Sequence, residues 1–306
     1  MSAATIVSQI AGFVLAPLML GVISRTKAVF AGRNGAPLLQ PYYDLWKLLQ
    51  KGAVYSSTTT WLFRAGPVIG LAAASTAMLL LPTGKSSAVI SFPGDLIAFA
   101  GLLGLMRFVT VVAALDTGSS FEGMGASREV MLSAIAEPAL FMGLAVLAMV
   151  SGSLSLTGML DTGFSGSWRG ATGPAMALVA VALFLVLLAE NARIPVDDPN
   201  THLELTMVHE VMVLDHSGPD FAFILYGAAL KLWLFASLLV GILLPVHTGN
   251  AAGDGAVYLI GMAIVAVAVG VVESSVARLR MVQVPHLLAG AGILSGLGVV
   301  LALAVR

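Results

Sequence analysis

The chain has 306 residues, of which 58% are hydrophobic and 10% charged, with a net charge of −1 and no cysteine. A soluble domain carries about 25% charged residues, so the polar shell that a water-exposed fold needs is missing and the surface must face an apolar medium. The charge balance excludes a nucleic-acid partner, which requires a concentrated basic face, and the lack of cysteine excludes a disulfide, a thiolate zinc site or a cysteine-ligated iron–sulfur cluster within this chain.

A membrane-crossing helix needs about 20 mostly apolar residues. Eight stretches qualify, at about 4–23, 61–81, 94–115, 130–150, 172–190, 221–244, 256–275 and 284–305. The first has neither the basic start nor the small-residue cleavage site of a signal peptide, so it is expected to be a retained helix. Pro82, Thr83 and Gly84 close the second, and Asn250–Gly255 separates the sixth from the seventh. Arg107, Glu137 and Lys231 fall inside the third, fourth and sixth.

An even number of crossings puts both termini on one side. Ten basic residues (Arg25, Lys27, Arg33, Lys47, Lys51, Arg64, Arg128, Arg193, Arg278 and Arg280) then lie on or near one face, against Lys85, Arg169 and Arg306 on the other. The positive-inside rule makes the rich face cytoplasmic and places both termini outside. The fold expected is an all-α membrane protein of about eight transmembrane helices, forming a single integral membrane domain over 1–306.

The first inner loop, about Ser24 to Thr60, adds one more helix. After Pro41, the residues Leu45, Trp46, Leu48 and Leu49 recur at helical spacing, as in an amphipathic helix lying on the membrane surface. Tyr43 and Trp46 suit the headgroup belt. The Gly–Pro–Gln-rich approach from Arg33 through Gln40 to Asp44 and Lys47 equally suits a docking surface for a soluble partner.

The second inner loop, Leu115–Glu129, is dense in Gly and Ser. Ser127 is placed to cap the fourth span, with Glu129 in its first turn near the positive dipole end. Glu137 lies eight residues on, inside an apolar run and before Pro138. A carboxyl group there is costly unless paired, hydrated or protonated. It reads either as a neutral group bonded to a neighbouring helix or as part of a proton or ion path. Arg107 needs a carboxylate partner, for which Glu129 and Glu137 are candidates. Lys231 needs a partner too unless it reaches an interface.

The third inner loop, Glu190–Asp220, is acidic, with Arg193 as its single Lys or Arg. Asn200 or Thr201 is positioned to cap a helix running to about Leu214, with Gly218-Pro219 as its stop. Leu203, Met207, Val211 and Leu214 would form its apolar stripe. His202, His209 and His216 recur every seven residues, about 10.5 Å along a helix, which is too far apart to share one ion easily. Protonatable groups lining a hydrated cavity fit this spacing better than a metal site. The loop as a whole reads as an electronegative funnel for cations.

Three stretches carry a family resemblance: Gly32–Leu49 (GRNGAPLLQPYYDLWKLL), Leu115–Leu140 (LDTGSSFEGMGASREVMLSAIAEPAL) and Ala189–Ser217 (AENARIPVDDPNTHLELTMVHEVMVLDHS). Together they resemble the membrane-anchor subunit of group 4 energy-converting [NiFe]-hydrogenases, of the formate hydrogenlyase and hydrogenase-4 type, a family homologous to subunit 1 of respiratory complex I. The resemblance implies a subunit in a bacterial or archaeal cytoplasmic (inner) membrane that carries no cofactor of its own. It would anchor hydrogenase large and small subunits and an iron–sulfur subunit, which would hold the [NiFe] centre and iron–sulfur clusters, beside antiporter-like membrane subunits. It also implies a coupling role for Glu129, Glu137, Glu190, Glu204, His209, Glu210 and Asp215, to which Arg107 and Lys231 are added as charges inside the spans. Docking to the soluble arm would fall to Arg33, Gln40, Tyr43, Asp44, Lys47, Arg128, Arg193, Asp197 and Asp198. The third motif departs from the Thr-Asn-Arg-Ala-Pro-Phe-Asp run typical of quinone-reducing relatives, which favours the hydrogenase branch over a quinone-pocket subunit.

Overall fold

The computed structural model describes residues 3–84, 86–161, 164, 167, 168, 170–197, 207–244 and 250–305. Among these residues the regular structure is helical, without a strand. The helices are α1 (Ala3–Phe30), α2 (Gln40–Leu49), α3 (Trp61–Leu80), α4 (Asp95–Asp116), α5 (Ser120–Ser151), α6 (Leu156–Asp161), α7 (Gly173–Glu190), α8 (His209–Met212), α9 (Gly218–Leu243), α10 (Ala251–Ser275) and α11 (Val284–Ala304). Eight of them, α1, α3, α4, α5, α7, α9, α10 and α11, are long and apolar enough to cross a membrane.

Helix α9 is the hub. It packs against α1, α3, α7 and α10, and 72% of its most apolar window is buried, whereas α11 buries 28% of its own. A helix apolar all round belongs in a bundle centre. The outer helices instead turn Ile97, Phe108, Phe141, Ile264, Ile293 and Val300 outward. Large apolar groups exposed over a whole circumference are what lipid contact requires.

The two ends of the bundle are held differently. At the end carrying most of the basic residues, the connections are tied by charge and by capping. The Asp116 carboxylate closes α4 and accepts from the Thr60 N–H at 2.7 Å and the Phe63 N–H at 3.3 Å, so it caps the start of α3. Lys27 of α1 and Arg193 after α7 both reach the fully buried Glu273 of α10, at 2.8 and 3.4 Å. Arg278 beyond α10 reaches Asp197 at 2.7 Å. At the opposite end the ties are neutral or local. The Gln9 amide donates to the Leu81 carbonyl at 3.0 Å, and the Asp95 carboxylate accepts from the Leu156 N–H and the Ser155 hydroxyl.

Helix α2 lies across α1 and α9. Tyr42, Leu45 and Leu48 face the bundle, and the Tyr42 hydroxyl donates to the Val14 carbonyl. Tyr43, Trp46 and Leu49 remain 59%, 67% and 47% exposed. This is the expected amphipathic surface helix, and its outer flank is itself aromatic.

Several expectations change. Helix α1 runs on to Phe30, so Arg25 and Lys27 are helical and not in a loop. Helix α5 starts at Ser120, ten residues early, so Ser127 caps nothing. Its hydroxyl instead donates to the Met124 carbonyl within the helix. Glycine-rich sequence has poor helix propensity, but tertiary packing overrides it here. A Cβ on Gly125 would stand 2.1 Å from Val211 Cγ1 and 2.9 Å from the Val208 carbonyl, so glycine is what lets α5 lie against this segment. Gly218-Pro219 opens α9 and does not stop a preceding helix, because Pro is favoured in a first turn. Gly218 has φ +56, and the Lys51–Gly52 backbone crowds its Cβ position. The helix expected up to Leu214 is only His209–Met212 among the described residues, and Leu214 is 57% exposed. Its proposed start at Asn200 or Thr201, and Leu203, lie outside the described residues.

His216 is 6% exposed and stacks on Phe63, with ring centroids 3.9 Å apart and planes 7° from parallel. Burial holds its pKa down to about 4. The unfolded chain therefore binds more protons between about pH 6.5 and 4, and stability is lost as pH falls through that window. Purified protein in detergent is expected to melt at lower temperature at pH 5 than at pH 7. His216→Phe should remove about 1–2 kcal/mol of that pH dependence in thermal denaturation.

Candidate functional site

The residues that disturbed the apolar pattern converge. The Arg107 guanidinium on α4 donates to Glu190 at the end of α7 at 2.7 and 2.8 Å, and to Glu137 on α5 at 2.5 Å. Its Nε lies 3.6 Å from Glu129. Lys231, midway along α9, reaches the other side of Glu190 at 2.7 Å. One carboxylate thus sits between two cations, and four long helices meet at the group. The side chains of Arg107, Glu190 and Lys231 are 8%, 4% and 9% exposed. Charges this deep stay only where each has a partner, because the low-dielectric surroundings offer no other compensation.

Sequence spacing made this possible. Lys231 is carried by the most buried helix, so its side chain is 9% exposed and its charge is met by a carboxylate. Glu129 and Glu137 are eight residues apart on α5, about two turns, and both turn toward α4. Glu137 is 42% exposed. It lies near Gly104 of α4, where an added Cβ would stand 3.9 Å from Glu137 Oε1.

A cavity of about 50 Å³ lies beside the cluster, lined by Arg107, Thr110, Glu129, Glu190, Asn191, His209 and Lys231 among others. A second, of about 10 Å³, adjoins it on the far side of Glu129 and Glu190 and reaches Ser133 and Asp197. A water needs roughly 10–15 Å³ of such space and two to four polar partners, so the larger cavity can hold water in contact with the carboxylates.

The segment 207–215 closes one wall. The Asp197 carboxylate accepts from the Val208 and His209 N–H groups at 3.1 and 3.2 Å. The Arg128 guanidinium donates to the Met207 carbonyl at 3.0 Å, and the Glu122 carboxylate accepts from the Asp215 N–H at 3.1 Å. These bonds present His209 to the cavity. Burial, with Lys231 nearby, lowers its pKa to about 4, so it is neutral at pH 7.

Of the expected coupling residues, Arg107, Glu129, Glu137, Glu190, His209 and Lys231 come together. Glu210 sits on α8, and the exposed Asp215 contributes its backbone N–H to Glu122. Glu204, Asp198 and His202 lie outside the described residues. His209 and His216 do not converge, since His209 lines the cavity and His216 stacks on Phe63. Among the expected docking residues, Arg33, Tyr43, Asp44 and Lys47 are exposed, with Gln40 donating to Asp44 at 2.8 Å. Arg128, Arg193 and Asp197 spend bonds inside the chain. Glu122 and Glu273 were missed. A lone acid at a span boundary reads as a helix-end charge, and only the fold brings its backbone or cationic partner to it.

The family described as NADH dehydrogenase matches residues 3–304. The chain belongs to that family. It is similar to formate hydrogenlyase subunit 4 of Escherichia coli K12, at 31% identity over 90% of each chain, and to hydrogenase-4 component C of the same organism, at 29% identity over 89% of this chain and 86% of that one. An NADH-quinone oxidoreductase subunit of Rubrobacter xylanophilus is 28% identical over 61% of this chain and 56% of its own. In fold, a chain of the membrane-bound sulfane sulfur reductase, an archaeal respiratory membrane complex, superposes with a TM-score of 0.83 over 98% of both chains at 20% identity. The protein is a multi-pass membrane protein, homologous to subunits of hydrogenase and respiratory membrane complexes.

Removing one partner of the cluster should be more harmful than its geometry alone suggests. Arg107→Ala leaves three carboxyl groups facing Lys231, and is expected to cost about 3–5 kcal/mol, the usual penalty for an uncompensated buried charge. Arg107→Lys should recover part of it, read as thermal stability in detergent. Gly125→Val should lower the melting temperature without touching the charges, by forcing segment 208–212 off α5.

Proposed function

We propose that this chain is the membrane-anchoring and coupling subunit of a formate hydrogenlyase- or hydrogenase-4-like complex, docking a soluble redox arm and linking its electron transfer to proton or ion movement. The observation that carries this reading is the buried Arg107–Glu190–Lys231 cluster with its cavity. It extends from the loop-side wall at His209 to Glu137 on the outer surface between α4 and α5. Such a cluster costs more than apolar packing would, so its position is best explained by work done there.

The chain has no cysteine, so the iron–sulfur clusters and the cysteine-ligated [NiFe] centre belong to partner subunits. The soluble arm would sit on the basic face, over α2 and segment 207–215, with that face cytoplasmic and both termini outside. A redox change in the arm would displace or recharge segment 207–215. His209 and Glu129 would feel it first, and Arg107 would redistribute its bonds between Glu190 and Glu137. Glu137 would face a neighbouring antiporter-like subunit, which would shield its half-exposed carboxylate from lipid.

The test is the intact complex in proteoliposomes. Glu190→Gln and Glu137→Gln should lower ion movement per turnover several-fold while the complex stays assembled. Pumping that is unchanged at normal hydrogenase turnover would sink the coupling role, and loss of assembly alone would leave only an anchor.

The NADH-quinone oxidoreductase relatives support a second reading, a quinone-pocket subunit. The cavity at the cluster, at about 50 Å³, is far below the roughly 300 Å³ of a small-molecule site, so a quinone would need a pocket completed by the arm. Block of turnover by a quinone-site inhibitor would favour that reading.

A further inference from the structure

We infer that α2 is the end of a strap laid along α1, and that the Tyr42 hydroxyl couples the position of α2 to the bend of α1 at Pro17. The device is separate from the charged cluster and does not depend on what is moved there.

Helix α1 carries a proline in its interior, at Pro17. A proline has no N–H, and its ring presses on the carbonyl four residues back. That carbonyl belongs to Phe13, and a carbonyl without a donor is costly where no water can reach it. The Tyr226 hydroxyl of α9 donates to it at 3.0 Å. The next carbonyl, that of Val14, accepts from the Tyr42 hydroxyl of α2. The Leu18 N–H, the ordinary helical partner of that carbonyl, lies within bonding reach of the same hydroxyl. One hydroxyl from α2 thus sits in the ladder of α1 where the proline has loosened it. A side chain inserted there is one of the causes of helix bending.

The path by which Tyr42 arrives is as ordered as its end. After α1 the chain turns at Gly32, with φ +63, and runs back along the helix it has just left. The Arg33 N–H donates to the Ala28 carbonyl at 2.9 Å, and the Arg25 guanidinium donates to the Gly35 carbonyl at 3.4 Å. A Cβ on Gly35 would stand 2.4 Å from Ala28 Cβ, and a Cβ on Gly21 would stand 2.1 Å from the Leu38 carbonyl oxygen. The two glycines therefore let the strap lie directly on α1. Ala28, Gly21 and Val14 follow one another at intervals of seven residues, about two turns each, so they share one face of the helix. Ala28 and Gly21 lie on the inner side of Pro17 and Val14 lies on the outer side. The strap bridges the break. Lifting α2 would take Tyr42 out of the ladder, return the Val14 carbonyl to Leu18 and let the two halves of α1 change their angle.

The chain has no cysteine, so pairs of introduced cysteines take spin labels without background. The full chain in lipid nanodiscs would carry labels in place of Lys47 and Leu115, which report α2 against α4, or of Val7 and Ile97, which report outer α1 against α4. All four positions are exposed. Distances are read by double electron–electron resonance. A change of about 20°, the scale of a proline kink, swings Val7 by about 5 Å, since it lies about 15 Å along the helix from Pro17. Tyr42→Phe is expected to shift or broaden both distributions on that scale, and Tyr43→Phe, at the exposed neighbouring ring, neither. In a Pro17→Ala background the ladder closes, and Tyr42→Phe is expected to move α2 alone. Tyr226→Phe, which strips the Phe13 carbonyl of its donor, is expected to move outer α1 while the α2 pair stays. An unmoved Val7–Ile97 pair in Tyr42→Phe, or the same shift with and without Pro17, would overturn the inference. If Tyr42→Phe does not fold, an unmoved Val7–Ile97 pair in Tyr226→Phe overturns it equally.

Discussion

Glu190, held between Arg107 and Lys231, is the interaction on which the arrangement of the bundle turns. The three side chains come from α7, α4 and α9, so one carboxylate fixes the relative height and rotation of three long helices. In an apolar medium the pairing is compulsory. Charge left unpaired there has no water to retreat to, and its cost exceeds what a few methyl contacts could offset. Helix packing among lipid-like surfaces has no hydrophobic preference of its own, which makes a specific polar contact at the centre the natural device for setting register.

Around that centre the remaining charges act mostly as ties at one end of the bundle. Glu273 gathers Lys27 and Arg193. Asp197 gathers Arg278 and the N–H groups that start α8. Asp116 caps α3, and Glu122 and Arg128 grip the two ends of segment 207–215. These bonds join the connections that follow α1, α4, α7 and α10 into one polar layer, while the opposite end is closed by a neutral amide, hydroxyls and Asp95. The difference has a mechanical consequence. The layer that would receive a soluble arm is stitched by bonds sensitive to charge, and those bonds touch the wall of the central cavity.

In the proposed coupling role, the cluster would lie between a surface disturbed by the arm and a surface that passes the disturbance on. His209 belongs to the first. Glu137, half exposed between α4 and α5, belongs to the second. Arg107 touches both ends, with one nitrogen toward Glu129 and others on Glu190 and Glu137. A guanidinium with several fixed donors is suited to changing which carboxylate it favours without losing its charge.

The sequence by itself determined the class of fold, the existence of the eight crossing segments though not all of their ends, the amphipathic α2 and the identity of the charges that needed explaining. These follow from hydropathy and from the cost of a charge in lipid, which are local properties of a segment. Arg107, Glu137 and Lys231 stood out for that reason alone, and the pairing of Arg107 with Glu137 and Glu129 was legible from two adjacent spans. Only the tertiary structure decided that Glu190 is the shared partner of Arg107 and Lys231, because those residues are far apart in sequence and no spacing rule relates them. It also decided that glycine-rich 120–129 is helix, since the requirement comes from Val208 and Val211 pressing on Gly125. It separated His209 from His216 as well. A periodicity of seven describes a regular helix, and the described backbone here is helical for only four residues before it turns into α9.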